Sequence, residues 1–190
     1  MIVICGLGNP GRKYTDARHN VGFTFLDKIK VKYKFNIYKK SKSEEIFRGK
    51  IKRKKCYLLK PLTYMNLSGT PIASFLQYYK IPTKNLTVVH DDLDLTLGKI
   101  KVKKGGGNAG HHGLQSIDEI IGNSYNRLRI GIGHPSSSKF VNKYVLEKFN
   151  SEEKVIINKI IELSVEHFDL LFSKKELFLT KISLLFRKNI

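Results

Sequence analysis

Ile2-Val3-Ile4-Cys5-Gly6-Leu7-Gly8-Asn9-Pro10-Gly11 opens the chain, and the rest is read outward from it. Ile2 to Cys5 is an apolar run long enough for one buried strand. The glycines and proline after it allow tight turns and close backbone approach to a ligand. Arg18-His19-Asn20 then precedes an apolar-periodic stretch of Val21, Phe23, Phe25, Leu26 and Ile29. That stretch predicts a helix to about Tyr33, with Asn20 as its N-cap. Asn9 and His19 therefore fall in irregular backbone around the end of a central strand, where open α/β sheets bind ligands. Gly6-x-Gly8-x-x-Gly11 also has the spacing of a dinucleotide fingerprint. No helix is predicted to open at Gly11, and Asp27, the nearest acid by spacing, lies inside the predicted helix. A nicotinamide-binding reading is rejected on that context.

Further along, Ile46–Ile51 and Cys56–Leu59 read as strands joined by the turn Lys52–Lys55, a hairpin that makes the sheet mixed. Pro61 ends the second strand. A helix capped by Asn66 or Ser68 carries Ile72, Phe75, Leu76 and Tyr79. Leu86–His90 is a compact buried strand with Asp91 and Asp92 at its carboxyl end. Strands are also read at 100–103 and 128–133, and a helix at 112–122 follows the glycine loop 105–107. Ser136–Ser138 reads as a flexible loop. A long helix is predicted from Ser151 to about Phe172, and a basic amphipathic tail, 173–190, as one more surface helix. The fold class is α/β: one domain over residues 1–190, a twisted mixed sheet with helices on both faces.

Composition narrows the function classes. The formal net charge is +19, from 35 Lys and Arg against 16 Asp and Glu. That balance predicts attraction to polyanions, nucleic acid first. Fourteen of the cations lie between Lys28 and Lys60, with Glu44 and Glu45 the two acids there. Cys5 and Cys56 form no C-x-x-C pair and read as reduced, buried residues of a cytoplasmic protein. No signal peptide and no apolar run of about 20 residues is read, so no membrane span is expected.

A histidine in irregular backbone at a strand end is a candidate general base. Of six histidines, His19 is the best base candidate, placed in a glycine-rich surface loop. Asp91, after a central strand, can meet it, fix its tautomer and stabilise the imidazolium. Neither an H-x-x-x-H pattern nor a cysteine cluster suggests a metal, and adjacent His111 and His112 cannot easily share one ion.

Four stretches carry a resemblance. They are Gly6–Gly11 with Tyr14 and Arg18-His19-Asn20-Val21-Gly22, Lys60-Pro61-Leu62-Thr63-Tyr64-Met65-Asn66-Leu67-Ser68-Gly69, His90-Asp91-Asp92-Leu93-Asp94, and Gly105–Leu114. In this order they closely resemble bacterial-type peptidyl-tRNA hydrolase, over nearly the whole chain. The resemblance implies a metal-free, cofactor-free, monomeric esterase that frees peptide from peptidyl-tRNA in translation. It implies catalytic roles for His19 and Asp91. Asn9 and Asn66 match active-site asparagines, whose amides orient water or ester without titrating. Tyr14 and Met65 match cleft-lining residues, although Met65 also suits a core. Lys103 and Arg129 match a pair that clamps the 5′ phosphate, which positions substrate without reading sequence. One departure stands out. The family's Gly-His-Asn-Gly-Leu is Gly110-His111-His112-Gly113-Leu114 here, so His112 replaces an asparagine that contacts peptide and the tRNA end. A catalytically idle RNA-binding relative is the competing class; His19, Asp91, Asn9 and Asn66 together favour the enzyme.

Overall fold

The computed structural model describes residues 1–188. Seven strands form one sheet: β1 Ile2–Gly6, β2 Asn36–Lys40, β3 Glu44–Ile51, β4 Lys54–Pro61, β5 Leu86–Asp92, β6 Ile100–Lys104 and β7 Asn126–Gly131. Their order is β2-β3-β4-β1-β5-β7-β6. The centre, β4-β1-β5-β7, is parallel, while β2, β3 and β6 join antiparallel. The sheet is mixed, as the hairpin requires. Ile51 pairs directly with Lys54, so the turn is only Lys52-Arg53, with Lys52 at a positive φ of 53°.

Successive β1 side chains point to opposite faces and enter two different cores. Ile4 joins Val21, Phe25, Leu26 and Ile29 of α1 (Val21–Lys32) on one face. Val3 and Cys5 join Ile72, Phe75 and Leu76 of α2 (Gly69–Tyr78) and Leu114 and Ile117 of α3 (His112–Ile121) on the other. Both sheet faces are therefore covered. α4 (Val141–Leu146), α5 (Ser151–Glu166) and α6 (Lys175–Arg187) complete the chain. α5 and α6 pack on the α1 face.

The structure departs from the sequence expectations at several places. β7 runs from Asn126 to Gly131, not over 128–133, and Ser68 stands at the start of α2 without a side-chain cap. β2 is an added strand; all five of its residues are exposed, so it carries no burial pattern. The short α4 is likewise additional. The long helix stops at Glu166 and continues as a 3-10 turn, Phe168–Phe172, that buries Phe168. Its N-cap is Asn150, one residue before the predicted start, in a capping box with Glu153. The tail is more than a surface helix: Phe178 and Ile182 of α6 are fully buried in the α1-side core. Asn189 and Ile190 of that predicted tail lie outside the described residues.

Close backbone approach positions the site. A side chain on Gly6 would collide with the Gly22 carbonyl, and one on Gly22 with the Leu7 amide and the Val89 carbonyl. Glycine at both positions lets the first turn of α1 sit directly on the carboxyl ends of β1 and β5. The turn before α1 thereby meets the end of β5.

Candidate active site

Arg18-His19-Asn20 forms a 3-10 turn leading into α1, and all three residues are buried. His19 is thus not on a surface loop, as its neighbouring glycines suggest; it lines the floor of a pocket of about 210 Å³. Arg18 pins this turn from below. Its guanidinium donates to Glu153 at 2.7 Å and to the carbonyls of Lys148 and Tyr144 at 3.1 and 3.3 Å. It also lies 4.1 Å from the ring centre of Tyr144. Glu153 belongs to the α5 capping box, so the cap and the turn that carries His19 share one carboxylate.

Asn20 does not use its side chain to cap α1. Its Oδ1 accepts from the Asn9 amide at 2.8 Å and its Nδ2 donates to the Asn9 carbonyl at 2.9 Å. This two-way bond fixes the loop after β1 to the residue beside His19. The Asn9 side chain in turn accepts the Met65 amide at 2.9 Å through Oδ1, which leaves its Nδ2 as a donor.

Asp91 is a residue of β5 itself, 2% exposed. His19 Nδ1 lies 2.9 Å from both Asp91 carboxylate oxygens. His111 Nε2 lies 3.1 Å from Oδ1 of the same carboxylate. Burial pushes the Asp91 carboxyl up, but the two imidazoles more than reverse this and hold it well below the usual carboxylate range. Asp91 is therefore an anion, and both facing ring nitrogens donate to it. His19 then presents Nε2 with a free lone pair whenever its ring is neutral.

His111 enters the sequence reading only as a poor metal ligand, yet it is central here. Its Nδ1 accepts from the amides of Gly113 and Leu114, so it is the N-cap of α3. Its single ring proton is on Nε2, aimed at Asp91. Burial lowers its pKa, partly offset by Asp91, so the ring stays neutral. An imidazole at the start of a helix, directly after a glycine loop, is the sequence signal for this role.

His19, Asp91 and His111 offer three ligand atoms within 4.8 Å of one another. The donor set fits a metal poorly. A cation on His111 Nε2 would displace its proton while Nδ1 still accepts two amides, leaving an imidazolate. The cluster is joined by protons instead.

The other predicted residues spread around this centre. His112 is exposed and lines the same pocket, with Val141, Asn142 and Val145 of α4 as the opposite wall. Met65 is 5% exposed and belongs to the α2–α3 core, against Gly113. Asn66 is exposed in the 3-10 turn Met65–Leu67, and its amide makes no hydrogen bond among the described residues. Tyr14 is half-buried, with the Lys13 ammonium 4.7 Å from its ring centre. Lys103 and Arg129 lie on neighbouring strands β6 and β7 and line one pocket of about 140 Å³ with His90, Asp92 and Arg127. Arg129 Nε donates to Asp92 at 2.5 Å. Cys5 is fully buried, and burial raises its thiol pKa, which removes it as a nucleophile.

The sequence model of the peptidyl-tRNA hydrolase family matches residues 3–187. The chain belongs to that family. A peptidyl-tRNA hydrolase of Rickettsia canadensis is 45% identical over 176 residues, covering 92% of this chain and 95% of its own. One from Ehrlichia ruminantium is 46% identical over 181 residues, covering 95% and 93%. Among solved structures, the peptidyl-tRNA hydrolase of Acinetobacter baumannii superposes with a TM-score of 0.90 at 38% identity, over 96% of this chain and 94% of that one. The family's reaction is hydrolysis of the ester that joins peptide to tRNA. No helix among the described residues is long and apolar enough to cross a membrane.

Proposed function

We propose that this chain hydrolyses the peptidyl-tRNA ester by general-base catalysis without a metal or other cofactor. The observation that carries the reading is the pairing of His19 Nδ1 with the buried Asp91 carboxylate at 2.9 Å, at the floor of a pocket. The tautomer that this pairing enforces leaves Nε2 to take a proton from water. The water oxygen attacks the ester carbonyl carbon. The tetrahedral intermediate then collapses, and the leaving ribose oxygen takes the proton back from His19. Asp91 stays ionised throughout and stabilises the imidazolium. Asn9 Nδ2 and the free amide of Asn66 are the donors for the ester carbonyl or the water. Tyr14 and His112 shape the substrate's seat, Met65 supports it from the core by packing against Gly113, and Lys103 with Arg129 holds the 5′ phosphate. The reaction belongs in the cytoplasm, where charged tRNA is used, and the site is complete within a monomer.

His19→Ala tests the reading. Loss of a general base costs about 10²–10⁴ in rate, while circular dichroism and tRNA binding stay as in the unsubstituted chain. Near-normal turnover in a folded His19→Ala protein would sink the assignment. The same assay with EDTA, under conditions where the tRNA itself stays folded, should keep full activity. Loss restored by one divalent ion would overturn the metal-free step. The competing class, an idle RNA-binding relative, requires no peptide release from purified peptidyl-tRNA by the unsubstituted protein.

A further inference from the structure

The hydrolytic site leaves the most basic part of the sequence unexplained. Six of the fourteen cations between Lys28 and Lys60 meet a carboxylate, among them Lys39 with Glu44 at 2.6 Å, Lys40 with Glu45 at 3.4 Å and Lys60 with Asp27 at 2.7 Å. Lys52 is paired with Asp169. Of the remaining eight, Arg48, Lys50 and Lys55 gather on one cavity. All three are exposed, and none has a carboxylate within ion-pair distance among the described residues.

They also share one face. Arg48 pairs with Tyr57 and Lys50 with Lys55 across β3 and β4. Directly opposed residues have Cβ atoms about 4.5–5.5 Å apart, and like charges so placed destabilise the pair. The three cations line a cavity of about 360 Å³ whose wall is Tyr57. An aromatic cluster continues from it. The Arg48 guanidinium sits 5.0 Å from the ring centre of Tyr38. Tyr38 and Tyr79 share a hydroxyl hydrogen bond of 2.6 Å, and Tyr57 and Tyr79 stack at 5.7 Å. Tyr78, 77% exposed, packs edge-on against Tyr79 at 4.8 Å. Cations that follow a backbone beside aromatic rings that accept bases are the general pattern of single-strand binding.

The place in the fold separates this face from the substrate. Ile2 pairs with Cys56, so the cavity lies at the amino end of β1, whereas His19 and Asp91 lie at the carboxyl ends of β1 and β5. Lys103 and Arg129 are on β6 and β7, on the opposite side of β1 in the strand order.

We propose that the exposed turn end of the β3–β4 hairpin, on the side that carries Tyr57, is a second nucleic-acid site, which holds single-stranded RNA other than the bound substrate. The uncompensated charge of Arg48, Lys50 and Lys55 takes phosphates, and Tyr38 and Tyr78 offer ring faces to bases. This face shares no residue with the hydrolytic centre and does not depend on its chemistry.

The test measures fluorescence anisotropy with a labelled oligouridylate. The background is Lys103→Ala with Arg129→Ala, which silences the phosphate pair beside the active site. Adding Arg48→Ala, Lys50→Ala and Lys55→Ala should weaken binding about tenfold or more at low salt. The salt slope should flatten by about 2, at about 0.7 per phosphate contact. A control removing Lys84, Lys174 and Lys181, three exposed lysines elsewhere, should change little. In the otherwise unsubstituted chain, the Arg48, Lys50 and Lys55 changes should leave kcat and KM for peptidyl-tRNA unaltered. Lys55→Glu adds a readout that guards against misfolding. It turns the repulsion with Lys50 into an attraction, so Tm should rise by about 1–3 °C while oligouridylate binding falls. Equal loss in the control would mean diffuse charge and overturn the site. Unchanged affinity in the triple variant would do the same. A raised KM for peptidyl-tRNA would assign the face to the substrate and overturn the proposal in that way.

Discussion

At the level of single residues, one carboxylate organises the proposed catalytic centre. Asp91 accepts from two imidazoles, and each imidazole has a separate anchor: His19 through Arg18 and its turn, His111 through the amides that begin α3. Asp91→Asn should therefore lower the rate and move the pH profile, because an amide supplies both a wrong donor and no charge. An unchanged profile would make Asp91 structural. His111 separates two functions in one ring. His111→Ala loses the cap and should cost about 0.5–2 kcal/mol in stability. It also leaves the Asp91 charge facing His19 alone, so the acid limb of kcat/KM should move to higher pH. His111→Asn restores a capping side chain but cannot reproduce the same donor to Asp91. Its stability should recover while the shifted profile remains; a profile that recovers with the stability would reduce His111 to a cap. Next to this centre, His90 donates Nδ1 to the Asp91 carbonyl at 2.7 Å, and its Nε2 is buried without a partner. Burial, then the nearby His111, lowers its pKa from 6.5 to about 3. The unfolded chain thus binds this proton between about pH 6.5 and pH 3 while the folded chain does not. Stability should fall as the pH drops through that window. His90→Gln should flatten this part of the acid denaturation curve, read by circular dichroism; an identical curve would show that His90 is not the group titrating.

At the level of elements, α6 carries the clearest consequence. Phe178 is fully buried beside Phe168, with ring centres 6.4 Å apart. Phe178→Ala should cost about 3–5 kcal/mol by urea denaturation, whereas a merely surface-lying tail would lose less than about 0.5 kcal/mol. The tail's amphipathic period is legible in the sequence; its docking is not, because the surface it covers joins α5 and the 3-10 turn Phe168–Phe172 to the sequence-distant β6. Strands β1, β4 and β5 are legible because burial on both faces makes them continuous apolar runs. β2 is illegible for the opposite reason: Asn-Ile-Tyr-Lys-Lys has neither alternation nor burial, and only pairing with β3 makes it a strand. Within the site, His19 and Asp91 are readable from residue type and position relative to strand ends. Asn20 reads as a cap because its local context is that of a cap; its actual bond to Asn9 depends on the path of the β1 loop. Met65 suits either cleft or core by sequence, and the side chain goes to the core because the start of α3 packs on it.

At the level of the whole molecule, the issue is whether a net charge of +19 acts as a diffuse cloud or through privileged contacts. Lys103 is exposed on β6, and Arg129 beside it is oriented by Asp92 at 2.5 Å. An arginine held through Nε keeps both terminal amino groups for a phosphate, and a held side chain loses less entropy on binding. The two residues lie on the strand-edge side of Asp91, on a pocket that shares His90, Asp92 and Asn108 with the pocket lined by His19 and Asp91. A phosphate there would sit beside the ester without touching it. Lys103→Ala with Arg129→Ala should therefore raise KM for peptidyl-tRNA and spare kcat. The salt dependence of kcat/KM should flatten by about 0.7–0.9 for each phosphate that is no longer neutralised. The effect should be larger for tRNA bearing a 5′ monophosphate than for phosphatase-treated tRNA. A diffuse cloud predicts otherwise: two charges removed from 35 Lys and Arg would change KM little, and dephosphorylation would make no difference. Asp92→Asn sharpens the comparison. It removes a nearby negative charge, which a cloud would register as tighter binding, but it also frees Arg129 to move. Weaker binding of 5′-phosphorylated substrate by Asp92→Asn would show that orientation of Arg129, rather than total charge, governs the contact; tighter binding, with equal effects on both tRNA forms in the double variant, would leave only the cloud.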